Sequence, residues 1–415
     1  MRSIAEALDG MLEAFRVLGT ETVALPEAAG RHLAQDVEAS FDSPPFDNSA
    51  MDGYAVRSQE VGSASQETPV TLRVRGESRA GGDIPEALEP GAACRIFTGA
   101  TMPSGADAVV IQEDTTRDGD DVKIIEASFE GRHVRAQGSD VRRGDVLVGA
   151  GDKLEAGEIG LLASQNVARV DVFRQPRVAL LSTGDELEAL GGSLGPGKII
   201  NSNLYVLTEM VRSVGGVPVP MPAARDDVPS IEAALRDALT ADVVITMGGV
   251  SVGEYDFVHE AFKRVGIEPE FWKVRIKPGK PLTFAQHEGT PVIGLPGNPI
   301  SAMVTFEVLV APCLRRMLGD PEPHPQPIQA RLTHGYAKKR GRVEIARAVA
   351  RRHDGEVTVT LKQLQGSGSL PSFVGVNALV ILPSDRGDFR ADDTVETLLW
   401  GRGLRADASF FEGVS

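Results

Sequence analysis

The stretch from Ala241 to Met303 constrains the fold most, because three apolar runs within it are each followed by a loop marked by glycine or proline. It reads ADVVITMGGVSVGEYD, then WKVRIKPGKP, then PVIGLPGNPISAM. The first run is β-branched and too short for a helix, which predicts a buried strand of a parallel sheet. Gly248 and Gly249 after it permit positive φ and let a ligand approach main-chain N–H groups. Asn298 is a good N-cap and Pro299 suits the first helical position, so a helix with unpaired N–H donors is predicted to begin there.

Between these loops the chain carries a dense group of cations without an acid. The group consists of Lys273, Arg275, Lys277 and Lys280, in a chain of formal net charge -15. A solvated lysine surface is the ordinary interpretation of such a run. However, Pro278 and Pro281 flank the last lysine, and a stiffened loop that carries cations favours convergence on one anion. The sequence therefore predicts an anion site here.

The wider pattern predicts a multidomain α/β plus β protein. From Arg177 onward, strand and helix periods alternate, which predicts a central doubly wound α/β domain with its ligand crevice at the carboxyl ends of parallel strands. From Thr68 to Ile125, short alternating runs predict an antiparallel β-rich domain inserted between pieces of another domain. Prolines from Pro321 to Pro327 mark a linker, and the strand-like runs after it predict a small C-terminal β-barrel or sandwich.

Composition limits the class of partner and the compartment. A length of 415 residues fits about two to four domains. A pI near 5.0 makes nucleic acid an unexpected partner, since phosphate backbones bind basic surfaces. Cys94 and Cys313 are the only cysteines, which fits a reducing cytoplasm. Acids interrupt the first apolar residues, and no run reaches the ~18 residues of a membrane span, so neither a signal peptide nor a membrane is expected.

Several motifs have both a functional and a structural interpretation. Asp185 and Glu186, next to Gly184 at the end of a predicted strand, suit a hard cation such as Mg²⁺ or a ribose hydroxyl, and equally suit a cap for the next element. The segment from Arg331 to Arg352 holds eight cations against Glu344 alone, which suits an anion site or a generic basic surface.

A serine hydrolase is an alternative, because Gly249 to Gly253 matches G-x-S-x-G with Ser251 as the nucleophile. Such an enzyme would need Asp320 with His334 or His353 as its acid and base. These residues fall in the linker and the C-terminal β region, where triad members are not expected, and the double glycine suits a phosphate cradle better than a strained elbow.

Taken together, the motifs resemble the molybdopterin molybdenumtransferase family, which includes the C-terminal domain of gephyrin. The matching stretches, which span nearly the whole chain in the family's order, are SAMDGYAV (Ser49 to Val56), RIFTGA (Arg95 to Ala100), GADAVV (Gly105 to Val110), STGDEL (Ser182 to Leu187), GGVSVG (Gly248 to Gly253), KPGKP (Lys277 to Pro281), LPGNP (Leu295 to Pro299) with Ser301, and QGSG (Gln365 to Gly368). Where many members have GDYD, this chain has Glu254 before an intact Asp256.

The resemblance implies an elongated cytoplasmic homodimer of four-domain subunits. The implied domains are a composite N-terminal domain of residues 1–42 and 136–172, a β-rich insertion of residues 43–135, an α/β molybdopterin-binding domain of residues 173–322, and a C-terminal β-barrel of residues 328–408. The implied reaction inserts molybdenum from molybdate into adenylylated molybdopterin with the help of Mg²⁺ and releases AMP, as the final step of molybdenum cofactor biosynthesis. The substrate itself supplies the sulfur ligands, so a chain with two cysteines is no contradiction.

The resemblance also assigns roles to positions of this sequence. The catalytic positions are Asp52, Thr98, Asp140, Glu186, Asp226, Asp256, Lys273, Lys277 and Lys280. The positions suited to a tetrahedral oxyanion are Lys277, Lys280, Ser301, Arg342 and Ser367. The positions for the pterin and nucleotide are Thr183, Gly184, Asp185, Gly248, Gly249, Ser251, Pro296, Asn298 and Pro299. The Mg²⁺ ligands are Asp185, Glu186 and Asp256, and Asp52 is expected to reach the cleft of the partner subunit.

Two further alternatives stay open at the level of sequence. Some relatives of this fold act as dimeric scaffolds for a protein partner, and in that case the polar site residues would be dispensable. Molybdate and tungstate share charge and nearly share size, so the residues do not select between them.

Overall fold

The computed structural model describes residues 1–249, 257–353, 355–401 and 403–406. The helices of this part of the chain are Ile4–Ala14, Ser58–Val61, Ala156–Ser164, Ser202–Ser213, Val228–Ala238, Phe257–Val265, Pro299–Thr305 and Ala311–Met317. A π-helical turn, Phe306–Val310, joins the last two. Ser3 caps the first helix in a capping box with Glu6, as the pattern of apolar residues behind a serine predicts. No described helix combines the length and apolar character needed to cross a bilayer.

The centre of the molecule is a six-stranded mixed sheet. Its strands, in spatial order, are Val217–Pro220, Arg177–Ser182, Val243–Met247, Thr290–Leu295, Pro281–His287 and Glu268–Lys273. The first four are parallel, as predicted, while the last two run antiparallel to their neighbours. The expectation of a wholly parallel sheet is therefore corrected at one edge, where the chain reverses twice through hairpins rather than through crossover helices.

Both faces of the central sheet are covered, which explains its continuous apolar runs. On one face Val178 and Leu180 join a core that includes residues of the first helix and of the 299–317 helical segment. On the other face Ala179 and Leu181 pack with residues of the 228–238 and 257–265 helices. The sheet is therefore a doubly wound α/β layer structure.

A second six-stranded sheet occupies the region that the sequence predicts to be β-rich. In spatial order its strands are Ala108–Ile111, Gly53–Val56, Ala92–Ile96, Val70–Ser78, Asp121–Ile124 and Thr115–Asp118. The prediction of an antiparallel sheet is correct for every pair but one, since Val70–Ser78 and Ala92–Ile96 run parallel. The segment between those two strands is long enough to return the chain to the same end of the sheet.

Short ladders join the segments before and after this β-rich sheet. Thr20–Ala24 pairs with Arg169–Phe173, Val37–Glu38 with Val146–Val148, and Asn48–Ser49 with Val134–Arg135. An apolar cluster around Leu33, Leu154 and Leu162 fills the space beneath them. Residues far apart in sequence thus build one unit from which the β-rich sheet extends.

The C-terminal region is a closed β-barrel with a strand borrowed from the α/β region. The barrel strands are Ile328–Leu332, Val343–His353, Glu356–Leu361, Ala378–Leu382 and Thr394–Leu399. The ring closes because Val343–His353 pairs with both Glu356–Leu361 and Ala378–Leu382. Ile276–Lys277, from the hairpin of the central sheet, adds to the barrel as a parallel neighbour of Val343 and Glu344. The remaining short strands are Leu187–Glu188, Ile199–Ile200, Tyr336–Ala337, Asp388–Phe389 and Arg405–Ala406.

Candidate functional site

The carboxyl ends of the three parallel strands Arg177–Ser182, Val243–Met247 and Thr290–Leu295 meet at one edge of the central sheet. The amide of Thr183 donates to the carbonyl of Met247 at 3.2 Å, and the amide of Gly248 donates to the carbonyl of Leu295 at 3.3 Å. The loops that were predicted from the sequence to bind a ligand are therefore direct neighbours. This edge is where ligands bind in open α/β sheets.

The first of these loops carries a pair of aspartates that hold each other in place. The amide of Asp185 donates to the Asp226 carboxylate at 3.3 Å, and the amide of Asp226 donates to the Asp185 carboxylate at 3.3 Å. Lys198 donates to the carbonyl of Asp185 at 2.6 Å. Gly184 has φ +147°, and a Cβ there would fall 2.4 Å from an oxygen of the Glu186 carboxylate, which folds back over the glycine. The aspartate pair and Glu186 therefore border the same turn.

Beside this loop lies a small recess lined by Thr183, Glu186, Asn203, Gly248 and Gly297, among others. Asn203 donates from Nδ2 to the carbonyl of Gly297 at 2.7 Å, which ties the first loop region to the third. Its Oδ1 is buried without a hydrogen-bond partner in the described structure. A buried acceptor without a partner is costly unless a ligand or water pairs with it. Sequence reasoning missed Asn203, although it stands in the NSN run that begins a helix.

The second loop turns through glycines whose conformation an L side chain rarely adopts. Gly248 has φ +93° and Gly249 has φ +61°. A Cβ on Gly249 would lie 2.2 Å from Val258 Cγ2, so the backbone here approaches the 257–265 helix closely. Three residues of the predicted motif lie outside the described residues: Ser251, predicted for pterin binding or hydrolysis, Asp256, predicted as a metal ligand, and Glu254, which departs from the family pattern.

The lysine loop reaches the same edge because of the double reversal of the chain. Lys273 pairs with Pro281, and Thr283 pairs with Gly294, so the residues between Lys273 and Pro281 lie next to the end of the 290–295 strand. Gly279, with φ +104°, is buried against Thr305. The loop that carries the predicted oxyanion lysines therefore packs on the helix that begins at Pro299.

The start of that helix corrects one prediction. Asn298 occupies the N-cap position, but its side chain makes no cap hydrogen bond, and its Nδ2 instead donates to Ser367 Oγ at 3.3 Å. The amide of Ile300 donates to the carbonyl of Ser367 at 3.1 Å, so this donor is not free for a ligand. Ser301 is 4% exposed, with its carbonyl bonded to Thr305. The structure thus brings Ser367 onto the helix start and buries Ser301 beneath it.

Lys277 has a partner that sequence reasoning did not assign. Its Nζ lies 3.0 Å from both carboxylate oxygens of Glu344, and Glu344 is 3% exposed. Tyr336 donates from its hydroxyl to Glu344 Oε1 at 2.8 Å. Burial, with the adjacent Glu344 carboxylate, raises the pKa of Tyr336. The signal in the sequence was the isolation of Glu344, the one acid between Arg331 and Arg352.

Two further cations of the barrel lie near this pair. Lys338 donates to the carbonyl of Arg342 at 3.1 Å, and burial lowers the pKa of Lys338, with a smaller contribution of the same sign from Lys277. Arg347 is fully buried and donates from Nη2 to the carbonyls of Leu364 and Gly366 at 2.7 and 3.1 Å. Its Nε and Nη1 have no partner among the described residues. Arg347 therefore anchors the loop that carries Ser367, whereas Arg342, the predicted oxyanion ligand, is half-buried directly before the barrel strand that begins at Val343.

Asp52 and Thr98 form a separate cluster on the β-rich sheet. Asp52 Oδ1 accepts hydrogen bonds from the Thr98 amide and from Thr98 Oγ1, each at 2.8 Å. The two bonds lower the pKa of Asp52, the backbone bond most strongly. Asp140 lies elsewhere, with its amide bonded to the carbonyl of Ser43 at 3.0 Å and its carboxylate 3.2 Å from Ser139 Oγ. None of these hydrogen bonds of Asp52 and Asp140 involves a residue of the lysine loop in the same chain.

The residues present suit Mg²⁺ only in company with a ligand. Within the described ranges, no group of three or more His, Cys, Asp or Glu side chains is arranged to hold a metal ion. Mg²⁺ is usually held by one or two carboxylates together with substrate phosphates. The Asp185–Asp226 pair, fixed by its reciprocal bonds, fits that requirement. Glu186 borders the same turn, so Asp185, Asp226 and Glu186 are the described carboxylates available for such a site.

The hydrolase alternative gains no support from the residues that are described. Asp320 accepts a hydrogen bond from the amide of Glu322 at 2.9 Å, while His334 bonds Thr333 Oγ1 at 3.1 Å. The side chain of His353 and all of Ser251 lie outside the described structure. The acid and the histidine thus take part in separate local interactions.

The fold and the site define a multidomain α/β protein in which a doubly wound sheet carries ligand loops at its carboxyl edge and contacts a β-barrel through the lysine loop. Residues 2–166 match the MoeA N-terminal region (domain I and II), residues 179–316 match the "Probable molybdopterin binding domain", and residues 329–400 match the MoeA C-terminal region (domain IV). The chain belongs to the molybdopterin molybdenumtransferase family.

Individual relatives support this membership along most of the chain. Molybdopterin molybdenumtransferase 2 of Mycobacterium tuberculosis is 38% identical over 93% of this chain and 96% of its own. A molybdopterin molybdenumtransferase of Nostoc sp. is 42% identical over 72% of this chain and 70% of its own. The crystal structure of a molybdopterin biosynthesis MoeA protein from Pyrococcus horikoshii superposes with a TM-score of 0.81 at 33% identity, covering 96% of this chain and 99% of that one. The resemblance predicted from the sequence motifs is confirmed.

Proposed function

We propose that this protein transfers molybdenum from molybdate to adenylylated molybdopterin and releases AMP, as the last step of molybdenum cofactor biosynthesis. The observation that carries the proposal is the meeting of three parts at one sheet edge. These are the lysine loop, packed through Gly279 on Thr305, the Ser367 loop, bonded to Ile300, and the Asp185–Asp226 turn. Cations and a metal-compatible carboxylate pair at the same sheet edge suit an oxyanion and a pyrophosphate bound in one site.

The two lysines of the loop are proposed to bind the oxyanion. Lys277 is half-buried and Lys280 is exposed, and both extend from a loop whose backbone is fixed by its packing on the 299–305 helix. Ser367 and Arg342 would complete the contacts from the barrel side. An ammonium group interacts strongly with a small dianion because the hydrogen bonds are charge-assisted.

The recess at the strand ends is proposed to bind the pterin and nucleotide. Gly248 and Gly249 allow phosphate oxygens to approach the backbone, and Asn203 presents an acceptor without a partner. Asp185 and Asp226 would hold Mg²⁺, which supplies neutralisation of the pyrophosphate charge as AMP departs. The other residues of the recess orient the ligand by its polar edges.

A homodimer is part of the proposal, because Asp52 and Thr98 form a cluster apart from the lysine loop of their own chain. Near them Phe41, Phe46 and Met51 are 37%, 41% and 41% exposed, which suits a surface covered by a second subunit. Asp52 of one subunit would then face the cleft of the partner. A cytoplasmic location also belongs to the proposal, and the two cysteines, both buried and free, are consistent with it.

The test is reconstitution with adenylylated molybdopterin, molybdate and Mg²⁺, scored by AMP release and molybdenum incorporation. Lys277→Ala with Lys280→Ala should abolish transfer. Lys280 is exposed and contributes little to stability, but removal of Lys277 leaves the buried Glu344 carboxylate without its cation, so denaturant unfolding of the variant is measured together with transfer. The matched control replaces Lys123 and Lys153, two half-exposed lysines outside the α/β region, with alanine. Full transfer by the folded Lys277 and Lys280 variant would disprove the assignment. The scaffold alternative is not favoured, since the relatives are named as transferases.

A further inference from the structure

The contact between Lys277 and Glu344 joins two parts of the protein that are 67 residues apart in sequence. Lys277 lies on the two-residue strand that the α/β region adds to the barrel, with its backbone in register with Glu344. The Lys277 side chain is 44% exposed, whereas that of Glu344 is 3% exposed. The ion pair therefore has a buried end at Glu344 and a solvent-accessible end at Lys277.

The buried end is held by more than the lysine. Tyr336 donates to Glu344 Oε1, and Tyr336 lies on a short strand paired with Asp388–Phe389 at the side of the barrel. A buried carboxylate with two partners cannot rotate away without leaving acceptors unpaired. Glu344 is consequently a rigid support for Lys277.

An ammonium group has three N–H donors. Two of them are directed to the carboxylate oxygens of Glu344, at 3.0 Å each. One donor remains for a ligand, and its direction is set once the other two are fixed. A flexible lysine without such a support would lose more rotamer freedom when it bound an oxyanion.

We propose that Glu344 is a positioning residue, which orients Lys277 so that its remaining N–H group meets the oxyanion and the lysine pays no further ordering entropy on binding. The inference rests on the proposed function, because it assigns a support to the oxyanion site of that reaction. Glu344 itself is not a ligand of the oxyanion, since its own charge would repel a dianion. Tyr336 acts through Glu344 in the same way, as the donor that holds one of its oxygens.

The test measures molybdate and adenylylated molybdopterin separately. In Glu344→Gln an amide NH₂ group replaces one carboxylate oxygen, and this group cannot accept a hydrogen bond from Lys277. The molybdate concentration for half-maximal transfer should rise about tenfold, while that for adenylylated molybdopterin stays within about twofold of wild type. Tyr336→Phe, which keeps the carboxylate, should give a smaller increase of the same kind. Glu356→Gln is the matched control, since Glu356 pairs with Arg331 at 2.7 Å on the surface of the same barrel.

A double-mutant cycle separates positioning from a general effect on the fold. If Glu344 acts through Lys277, adding Glu344→Gln to Lys277→Ala should leave the affinity for molybdate alone, measured by calorimetry, unchanged. Additive losses in the cycle, an unchanged molybdate dependence in both Glu344→Gln and Tyr336→Phe, or tighter molybdate binding would each overturn the inference. Absence of any transfer by the wild-type protein would instead contradict the proposed function, so the two failures are distinguishable.

Discussion

Gly279 and Thr305 are packed so closely that a Cβ added to Gly279 would lie 2.2 Å from Thr305 Cγ2. Gly279→Ala should therefore displace the lysine loop from the 299–305 helix. The residue also has φ +104°, which disfavours any L side chain. We expect a loss of stability of about 2–4 kcal/mol from backbone strain and overpacking together, and a larger loss of transfer than of folded protein.

Gly289→Ala is the control for that substitution. Gly289 has φ +87° but no atom within 4 Å of its added Cβ, so it shares the strained backbone without the collision. Denaturant unfolding and molybdenum transfer should be measured for both variants. Equal losses of stability and of transfer in Gly279→Ala and Gly289→Ala would show that the contact of Gly279 with Thr305 contributes to neither.

The pH dependence of transfer should change in Thr98→Val. Asp52 has a lowered pKa because the Thr98 amide, and then the Thr98 hydroxyl, donate to its carboxylate. The variant keeps the amide bond and loses the hydroxyl bond, so the pKa of Asp52 should rise toward its ordinary value. Asp52 is then protonated at a higher pH, and the acid limb of the activity profile should move upward, with little change near neutral pH. An acid limb that stays in place would exclude an ionised Asp52 from the reaction.

Asn203→Asp should weaken the binding of adenylylated molybdopterin. Asn203 lines the recess, its Nδ2 donates to the carbonyl of Gly297, and its Oδ1 is buried without a partner in the described structure. A carboxylate there would face a carbonyl and oppose the phosphate charge, which should reduce affinity by about tenfold or more. Molybdate binding, at the other end of the site, should be unaffected. Asn166→Asp, at an exposed turn, is the control, and titration calorimetry of both ligands measures the outcome.

Glu307→Gln should change how stability depends on pH. Burial raises the pKa of Glu307 above its ordinary value of 4.5, although Arg315 and the Trp400 N–H partly oppose the rise. Between 4.5 and the raised value the folded protein binds more protons than the unfolded chain, so this group makes the free energy of unfolding fall as pH increases. The glutamine lacks that dependence.

Near neutral pH we therefore expect Glu307→Gln to melt about 2 °C higher than wild type, and the difference to vanish toward acid pH. Glu209→Gln serves as the control, because Glu209 and Glu307 line one surface groove but Glu209 is exposed and pairs with Arg212. Calorimetric melting at a series of pH values gives the difference curve. A constant offset at all pH values would contradict the assignment.

The parts of the fold that rest on local pattern follow from the sequence. Ser182, Met247 and Leu295 end apolar runs whose length and glycine neighbours predict parallel strands and ligand loops, and the structure has these strands. Those loops become neighbours because parallel strands share one carboxyl edge. The capping box of Ser3 and Glu6 is likewise a local signal.

Features that depend on pairing between distant segments could not be predicted. A short run such as Glu268–Lys273 does not encode its direction relative to Pro281–His287, so the antiparallel edge of the central sheet was missed. Lys277 and Glu344 were each visible in the sequence, yet only the barrel's borrowed strand brings them together. Similarly, the helix pattern predicts a free Ile300 amide, whereas in the structure this amide donates to the carbonyl of Ser367.

The strand that Ile276 and Lys277 lend to the barrel has a consequence for protein engineering. In a chimera that carries the barrel of a relative, the barrel strand that pairs with Ile276 and Lys277 comes from that relative. The orientation of Lys277 then depends on the residues of that strand. The C-terminal barrel is therefore not freely exchangeable between relatives. If Lys277 binds the oxyanion as proposed, a chimera is expected to keep transfer activity only when the incoming sequence supplies an acid in the register of Glu344.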